Sequence, residues 1–338
     1  MPDQSEIQEV NQIIKRARIA QTDFEKNGSQ EKYDTAAQAV GWAIMEPSRN
    51  KELATLAVLS TGLGNIEDKI TKNHRKTLGL LRDISKVKSY GVIDENIDKG
   101  IIKIARAIGV IGAVVPSTNP IATPANNIIN SLKCGNAIII SPSPKGIAGC
   151  ERLIHFIHAE FEKCGINKDL VQMIPAPGTK IKTQQMLEET DLVIVTGSQN
   201  NVRRAYTSGT PAIGVGAGNV TVIIDETSNL KDAAVKIAAS KTFDNATSCS
   251  SENSLIIIDE IYDAFIKELS LVGCVTLEKS LQKKITERLW KKGQLNRDAV
   301  AQDAKKLIVA LGLESNVPED TKIIGIETDG IGEGYPLS

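Results

Sequence analysis

Cys249 lies in "KTFDNATSCSSENSLIIID", residues 241–259, where small and polar residues surround the thiol and an apolar run follows at once. Structural cysteines behave as small hydrophobes and hide, whereas reactive ones occupy polar, partly open surroundings. The stretch therefore offers a nucleophile for covalent chemistry. Asn119 is the second candidate. In "VVPSTNPIATPANN", Pro116 and Pro120 stiffen a turn at a strand end and hold the carboxamide between them. A side-chain amide fixed there is a good oxyanion donor, and one such donor contributes about 3 kcal/mol to a transition state. A turn asparagine bonding its own backbone is the commoner use of such a residue.

Two stretches bear on phosphate binding. "GTPAIGVGAGN", Gly209 to Asn219, is glycine-rich, but its strand precedes the glycines and no helix opens directly after them, so it is not a dinucleotide fingerprint. A tight loop joining two domains explains it equally well. In "VTGSQNNVRRAY" a strand ends in Thr196-Gly197-Ser198 and a helix opens, aiming free N–H groups and a positive dipole end at an anion. An ordinary capped helix reads the same way. His155 and His158 share a helix with Cys150 and Cys164 at spacings that make no ligand set, and His74 in "KNHRKT" reads as a solvated helix face. No metal site is expected.

To position these groups the chain has 338 residues, beyond the size at which single cores stop growing, so two domains are expected. Lys plus Arg is 40 against 41 for Asp plus Glu, and aromatics make up 4%, which disfavours a nucleic-acid partner. The five cysteines are scattered without a CxxC pair, which points to reduced thiols in a cytoplasm. No run approaches the ~18 apolar residues of a membrane span.

Residues 5 to about 90 carry helical spacing. From "GIIKIARAIGVIGAVVP", read as an edge strand leading into a buried one, short apolar runs alternate with amphipathic helices: "NAIIIS", "LVQMIP", "DLVIVTG" and "PAIGVG". This pattern predicts an α/β fold with a parallel, Rossmann-like sheet behind N-terminal helices. A second α/β unit starts at "NVTVIID", includes the Cys249 loop and continues into two charged helices between about 277 and 311. The expected domains are 1–220, nucleotide-binding, and 221–338, bearing the nucleophile.

Together these pieces resemble the aldehyde dehydrogenase superfamily over effectively the whole chain. "STNP", Thr196-Gly197-Ser198 and the surroundings of Cys249 carry the likeness, and "PAIGVGAGN", "LKCGNAIIISPSPKG" and "FDNATSCSSENS" are similar to its CoA-acylating branch. "GWAIMEPSRN", "NHRKTLGLLRD" and "TFDNATSCSSENS" are similar to members acting on sulfoacetaldehyde. The resemblance implies catalytic Cys249 and Asn119. It implies a dinucleotide held by Ser117, Thr118, Ser141, Pro142, Ser143, Lys145, Thr196, Gly197, Ser198, Gly214, Val215 and Gly216. It further implies coenzyme A as co-substrate and a homo-oligomer in the full-length form. Arg75 is a candidate for the substrate's sulfonate, with a surface basic cluster as the plain alternative.

Two departures from other family members carry chemical meaning. Hydrolytic relatives place a water-activating glutamate where this chain has Gly214, so a thiol such as CoA replaces water as second nucleophile. Glu252 is read as a loop-ordering group. Many NAD-linked relatives carry an acid on the ribose hydroxyls, where this chain has Ser141-Pro142-Ser143-Pro144 followed by Lys145. Losing the acid favours NADP over NAD. The family's second domain continues past the position of Ser338, so impaired activity and assembly are expected of this form. Three rivals remain: an acylating enzyme for acetaldehyde or propanal, a thiol hydrolase working without nicotinamide, and a non-catalytic nucleotide-binding module.

Overall fold

The structure is a computed structural model that describes residues 4–216, 218–291, 293–332 and 334–337. It divides into two compact units, Met1–Gly62 with Lys69–Ala217, and Leu63–Asp68 with Gly218–Ser338.

The first unit opens with helices α1 (Gln4–Lys26), α2 (Gln30–Met45) and α3 (Pro47–Thr61); α4 (Ile66–Ile84) follows. Their ends obey local chemistry. Ser29 caps α2 by accepting the Lys32 N–H, and Glu46 caps α3 by accepting that of Arg49 with Pro47 in the first turn. Gly62 closes α3 at φ 72°, a left-handed conformation that favours glycine. Next come β1 (Gly91–Asn96) and β2 (Ile101–Ala105), which among the described residues pair only with each other, as an antiparallel ribbon. This corrects the expectation of an edge strand at 100–105. A partner a few residues away closes a shorter loop than the sheet does, and Ile101, Ile102 and Ile104 stay exposed on the ribbon.

The core sheet is built from β3 (Val110–Val115), α5 (Ala122–Lys133), β4 (Ala137–Pro142), α6 (Ile147–Cys164), β5 (Val171–Met173), α7 (Lys180–Glu189), β6 (Leu192–Thr196), α8 (Gln199–Tyr206) and β7 (Ala212–Val215). All five strands are parallel, in the order β5-β4-β3-β6-β7. The chain builds outward from β3 through β4 to β5, then returns to β6 on the other side. Right-handed crossovers therefore put α5 and α6 on one face and α7 and α8 on the other. Every residue of β3 and β4 is buried, as continuous apolar strands covered on both faces must be. Each fully buried Val or Ile there is worth about 1.5–3 kcal/mol.

The second unit contains β8 (Val220–Ile224), α9 (Leu230–Thr242), β9 (Glu252–Ile257), α10 (Tyr262–Leu271), β10 (Cys274–Leu277), α11 (Gln282–Leu289), β11 (Trp290–Lys291), β12 (Gln294–Leu295), α12 (Ala304–Leu311) and β13 (Ile323–Ile326). β8 pairs in parallel with β9, and β10 with β13. Two small cores hold it together, one around Ile224, Ile237 and Phe265, the other around Leu277, Ile285 and Ile308.

Candidate active site

In the first unit the chain reverses strand order between β3 and β6, the topological switch point at which parallel sheets open a crevice beyond their carboxyl ends. Ser117, Thr118 and Asn119 follow β3, Pro142 ends β4 with Ser143 and Lys145 beyond it, and Thr196 ends β6 ahead of Gly197 and Ser198. Gly214 and Val215 close β7, and Gly216 follows. The register places Val115 beside Pro142 and Thr196 beside Val215, so these candidates share one edge of one sheet.

Their settings differ. Ser198 caps α8 by accepting the Asn201 N–H at 3.3 Å. A Cβ at Gly197 would meet only Asn201 Nδ2, at 3.8 Å, leaving the backbone at this helix start open to a close-lying group. Lys145 is exposed. Ser141, by contrast, is buried with its hydroxyl 3.0 Å from Thr183 Oγ1, a packing contact. A phosphate-bearing dinucleotide fits the open Gly197 backbone and the Lys145 cation, with Ser141 serving the strand.

Asn119 sits on the turn after β3, half-buried. Its Oδ1 accepts a hydrogen bond from Lys72 Nζ at 3.1 Å, and the carbonyl of Thr118 accepts one from Lys69 Nζ at 3.3 Å. Both lysines are buried residues of α4. Arg75 and His74, on the same helix, are exposed. Sequence reasoning passed over Lys69 and Lys72. The available signal was "DKITKNHRKT", in which two cations three residues apart share the face carrying Asn73. His158 Nε2–H donates to the Val171 carbonyl oxygen at 2.8 Å, a structural contact.

In the second unit Cys249 is exposed in a turn closed by the Ser251 N–H donating to the Ser248 carbonyl at 3.1 Å. Ahead of it, Asp244, Asn245 and Ala246 all have left-handed backbones, at φ 50°, 51° and 57°. Glycine tolerates that conformation; alanine pays about 1–2 kcal/mol for it. The buried Asp244 side chain secures the turn, accepting the Asn65 N–H at 3.0 Å and the Thr247 hydroxyl at 2.5 Å. Gly218 lies beside this loop, where an added Cβ would stand 3.7 Å from the Cys249 carbonyl oxygen. Glu252 opens β9, and its Oε2 is buried without a hydrogen-bond partner among the described residues. The other thiols contrast with Cys249. Burial pushes Cys150 up to about 12 and Cys274 to about 11.

Gly214 is sealed by its own surroundings. A Cβ there would come within 2.7 Å of Val202 Cγ1 and 3.1 Å of the Tyr206 ring, while the Gly214 N–H donates to Tyr206 Oη at 3.1 Å. A larger side chain needs α8 to give way.

The first unit thus carries a parallel sheet of the nucleotide-binding type, and the second carries an exposed thiol on a turn. The chain belongs to the aldehyde dehydrogenase family, which it matches over residues 2–272. It is 50% identical over 337 residues to an acylating sulfoacetaldehyde dehydrogenase of Cupriavidus necator, covering 100% of this chain and 68% of that protein. To a sulfoacetaldehyde dehydrogenase of Acholeplasma it is 41% identical over 319 residues, covering 93% and 65%. The crystal structure of an acetylating aldehyde dehydrogenase from Geobacillus thermoglucosidasius superposes with a TM-score of 0.92 at 31% identity, covering 100% of this chain and 74% of that one. The chain thus spans about two thirds of the length of these curated relatives. Among the described residues, no helix is long and apolar enough to cross a membrane.

Proposed function

We propose that this chain carries the nucleophile and nucleotide-binding machinery of a CoA-acylating aldehyde dehydrogenase acting on sulfoacetaldehyde. The Cys249 thiolate adds to the aldehyde carbon, forming a carbon–sulfur bond and leaving the negative charge on oxygen. The Asn119 Nδ2 group and the Cys249 backbone N–H are the proposed donors to that oxyanion. Departure of hydride from the same carbon leaves a thioester on Cys249. Bound NADP supplies the acceptor for that hydride. The CoA thiolate then attacks the thioester carbonyl and expels the Cys249 thiolate, so one aldehyde and one CoA thiol yield one acyl-CoA, one hydride and one proton.

The observation that carries the reading is 50% identity across the whole chain to an enzyme of this activity. Supporting it, Cys249 is exposed, and the Gly214 position, where hydrolytic members place their base, is closed by Val202 and Tyr206. An acyl-enzyme without that base meets water poorly and a thiol well. The exposed Lys145 and the acid-free 141–145 stretch favour NADP over NAD, because a cation attracts a 2′-phosphate that a carboxylate would repel. A neutral aldehyde such as acetaldehyde or propanal is the second reading, motivated by the acetylating enzyme of matching fold.

The test is formation of acyl-CoA and reduced cofactor from sulfoacetaldehyde, with and without CoA, in wild type and Cys249→Ala. The reading expects both products to vanish in Cys249→Ala, and sulfoacetaldehyde to outperform acetaldehyde. Substantial turnover in Cys249→Ala sinks the nucleophile; a preference for acetaldehyde sinks the substrate.

A further inference from the structure

Lysine is almost never fully buried unless its ammonium has partners. On α4, Lys69 and Lys72 stand one turn apart and expose only 4% and 2% of their surface. Both ammonium groups end on the turn after β3, Lys69 at the Thr118 carbonyl and Lys72 at Asn119 Oδ1. The helix is held in register by separate contacts at the same level. Asn50 Nδ2 donates to the Ile70 carbonyl at 2.9 Å, and Asn73 Nδ2 donates to Asn50 Oδ1 at 3.0 Å. Lys72 is therefore fixed from its backbone outward.

An ammonium has three donors and no acceptor, so it faces the oxygen of a carboxamide and not the nitrogen. Lys72 thereby decides which end of the Asn119 amide is which. With Oδ1 held towards α4, the two Nδ2–H donors point away from the helix. The adjacent positive charge also draws electron density towards the amide oxygen and makes those N–H bonds better donors, more so where water is excluded. A neutral neighbour would leave those N–H donors less polarised.

We propose that Lys72 is the positioning residue for Asn119: its buried ammonium orients the carboxamide and polarises Nδ2–H, while Lys69 fixes the backbone of the same turn. The proposal rests on the reading of Asn119 as oxyanion donor. The test uses the full chain with 15N-labelled asparagine side chains, the Asn119 pair being the one lost in Asn119→Ala. In Lys72→Met, which removes the charge, that pair moves upfield, because the amide is less polarised without the ammonium at its oxygen. Lys72→Arg restores it. An unmoved pair in Lys72→Met overturns the proposal. If Lys72→Met does not fold, Lys72→Gln decides: it keeps a donor without the charge, and a pair left at its wild-type position overturns the proposal equally. In turnover, Lys72→Met lowers kcat about tenfold with little change in KM, and adds nothing in an Asn119→Ala background. Additive losses overturn the proposal. Full kcat in Asn119→Ala overturns the oxyanion reading and this role of Lys72 with it, whereas a normal Asn119→Ala loss beside an unmoved amide overturns the role of Lys72 alone.

Discussion

The backbone N–H of Asp244 donates to Asp68 Oδ2 at 2.7 Å, and the Asn65 side chain donates to the same oxygen at 2.6 Å. Asn65 in turn accepts the Asp68 N–H through Oδ1 and gives its own backbone N–H to Asp244. Residues 63–68 and the turn ahead of Cys249 thus form one closed hydrogen-bonded circuit within the second unit. Asp68→Ala leaves the Asp244 N–H without its acceptor. It should lower the stability of this unit by about 1.5–3 kcal/mol and alter the rate at which Cys249 is alkylated. Urea unfolding and a timed alkylation series on both chains check this; unchanged values in both reject the circuit as the turn's support.

Ala246 offers the opposite experiment. It holds φ 57° without the local hydrogen-bonding side chain that helps Asp and Asn adopt such a backbone. Ala246→Gly should therefore be neutral or stabilising by up to about 1 kcal/mol, against the usual cost of glycine. Thermal unfolding measures it, and a clear loss of stability contradicts the strain.

Alkylation separates the thiols. A raised pKa means less thiolate at a given pH, and burial raises Cys150, Cys274 and Cys134. At pH 7.5, iodoacetamide should label Cys249 and the exposed Cys164 in the folded chain, Cys134 slowly, and Cys150 and Cys274 only after denaturation. Peptide mass mapping reads the order. Early labelling of Cys150 contradicts its full burial on α6.

Restoring a glutamate at Gly214 should not by itself create a hydrolase. The new Cβ would collide with Val202 Cγ1 and the Tyr206 ring. Gly214→Glu should cost about 1–3 kcal/mol and leave acyl-CoA the main product. Gly214→Glu with Val202→Ala should recover part of the stability and raise the share of free acid. A high share of free acid from the wild type contradicts the argument from the missing base.

Acid should weaken the first unit through Glu160. Burial pushes its carboxyl up, but hydrogen bonds from Lys163 and Arg49, both at 2.8 Å, outweigh that and hold it below its ordinary value of 4.5. A depressed folded value contributes stability that is complete above the ordinary carboxylate range and is lost as pH falls through the folded value. Glu160→Gln should therefore reduce the steepness of stability against pH below about 4.5. Parallel unfolding curves for the two chains between pH 3 and 6 decide it.

The parallel sheet was legible because β3, β4 and β6 are short apolar runs punctuated by helices, and burial on both faces leaves no other reading of such runs. β10 and β13 were not. Their strands span only Cys274–Leu277 and Ile323–Ile326, and they are joined across about fifty residues, so no local period marks them as partners. Among the candidate residues, residue type singled out Cys249 and Asn119, since a thiol in a polar loop and an amide between prolines are unusual in themselves. Lys69 and Lys72 look like any solvated helix cations in sequence. Only the packing of α4 shows that their charges are withdrawn from water and aimed at one turn.

On the proposed role of Asn119, that withdrawal sets one contact's strength and reactivity against each other at a single side chain. Asn119→Asp would place a full negative charge beside an ammonium already withdrawn from water, tightening that contact while leaving no side-chain hydrogen to offer a forming alkoxide. Selection for that contact alone would drift towards the carboxylate and disarm the chain, which is reason to score any hardened variant by its chemistry as well as its melting temperature.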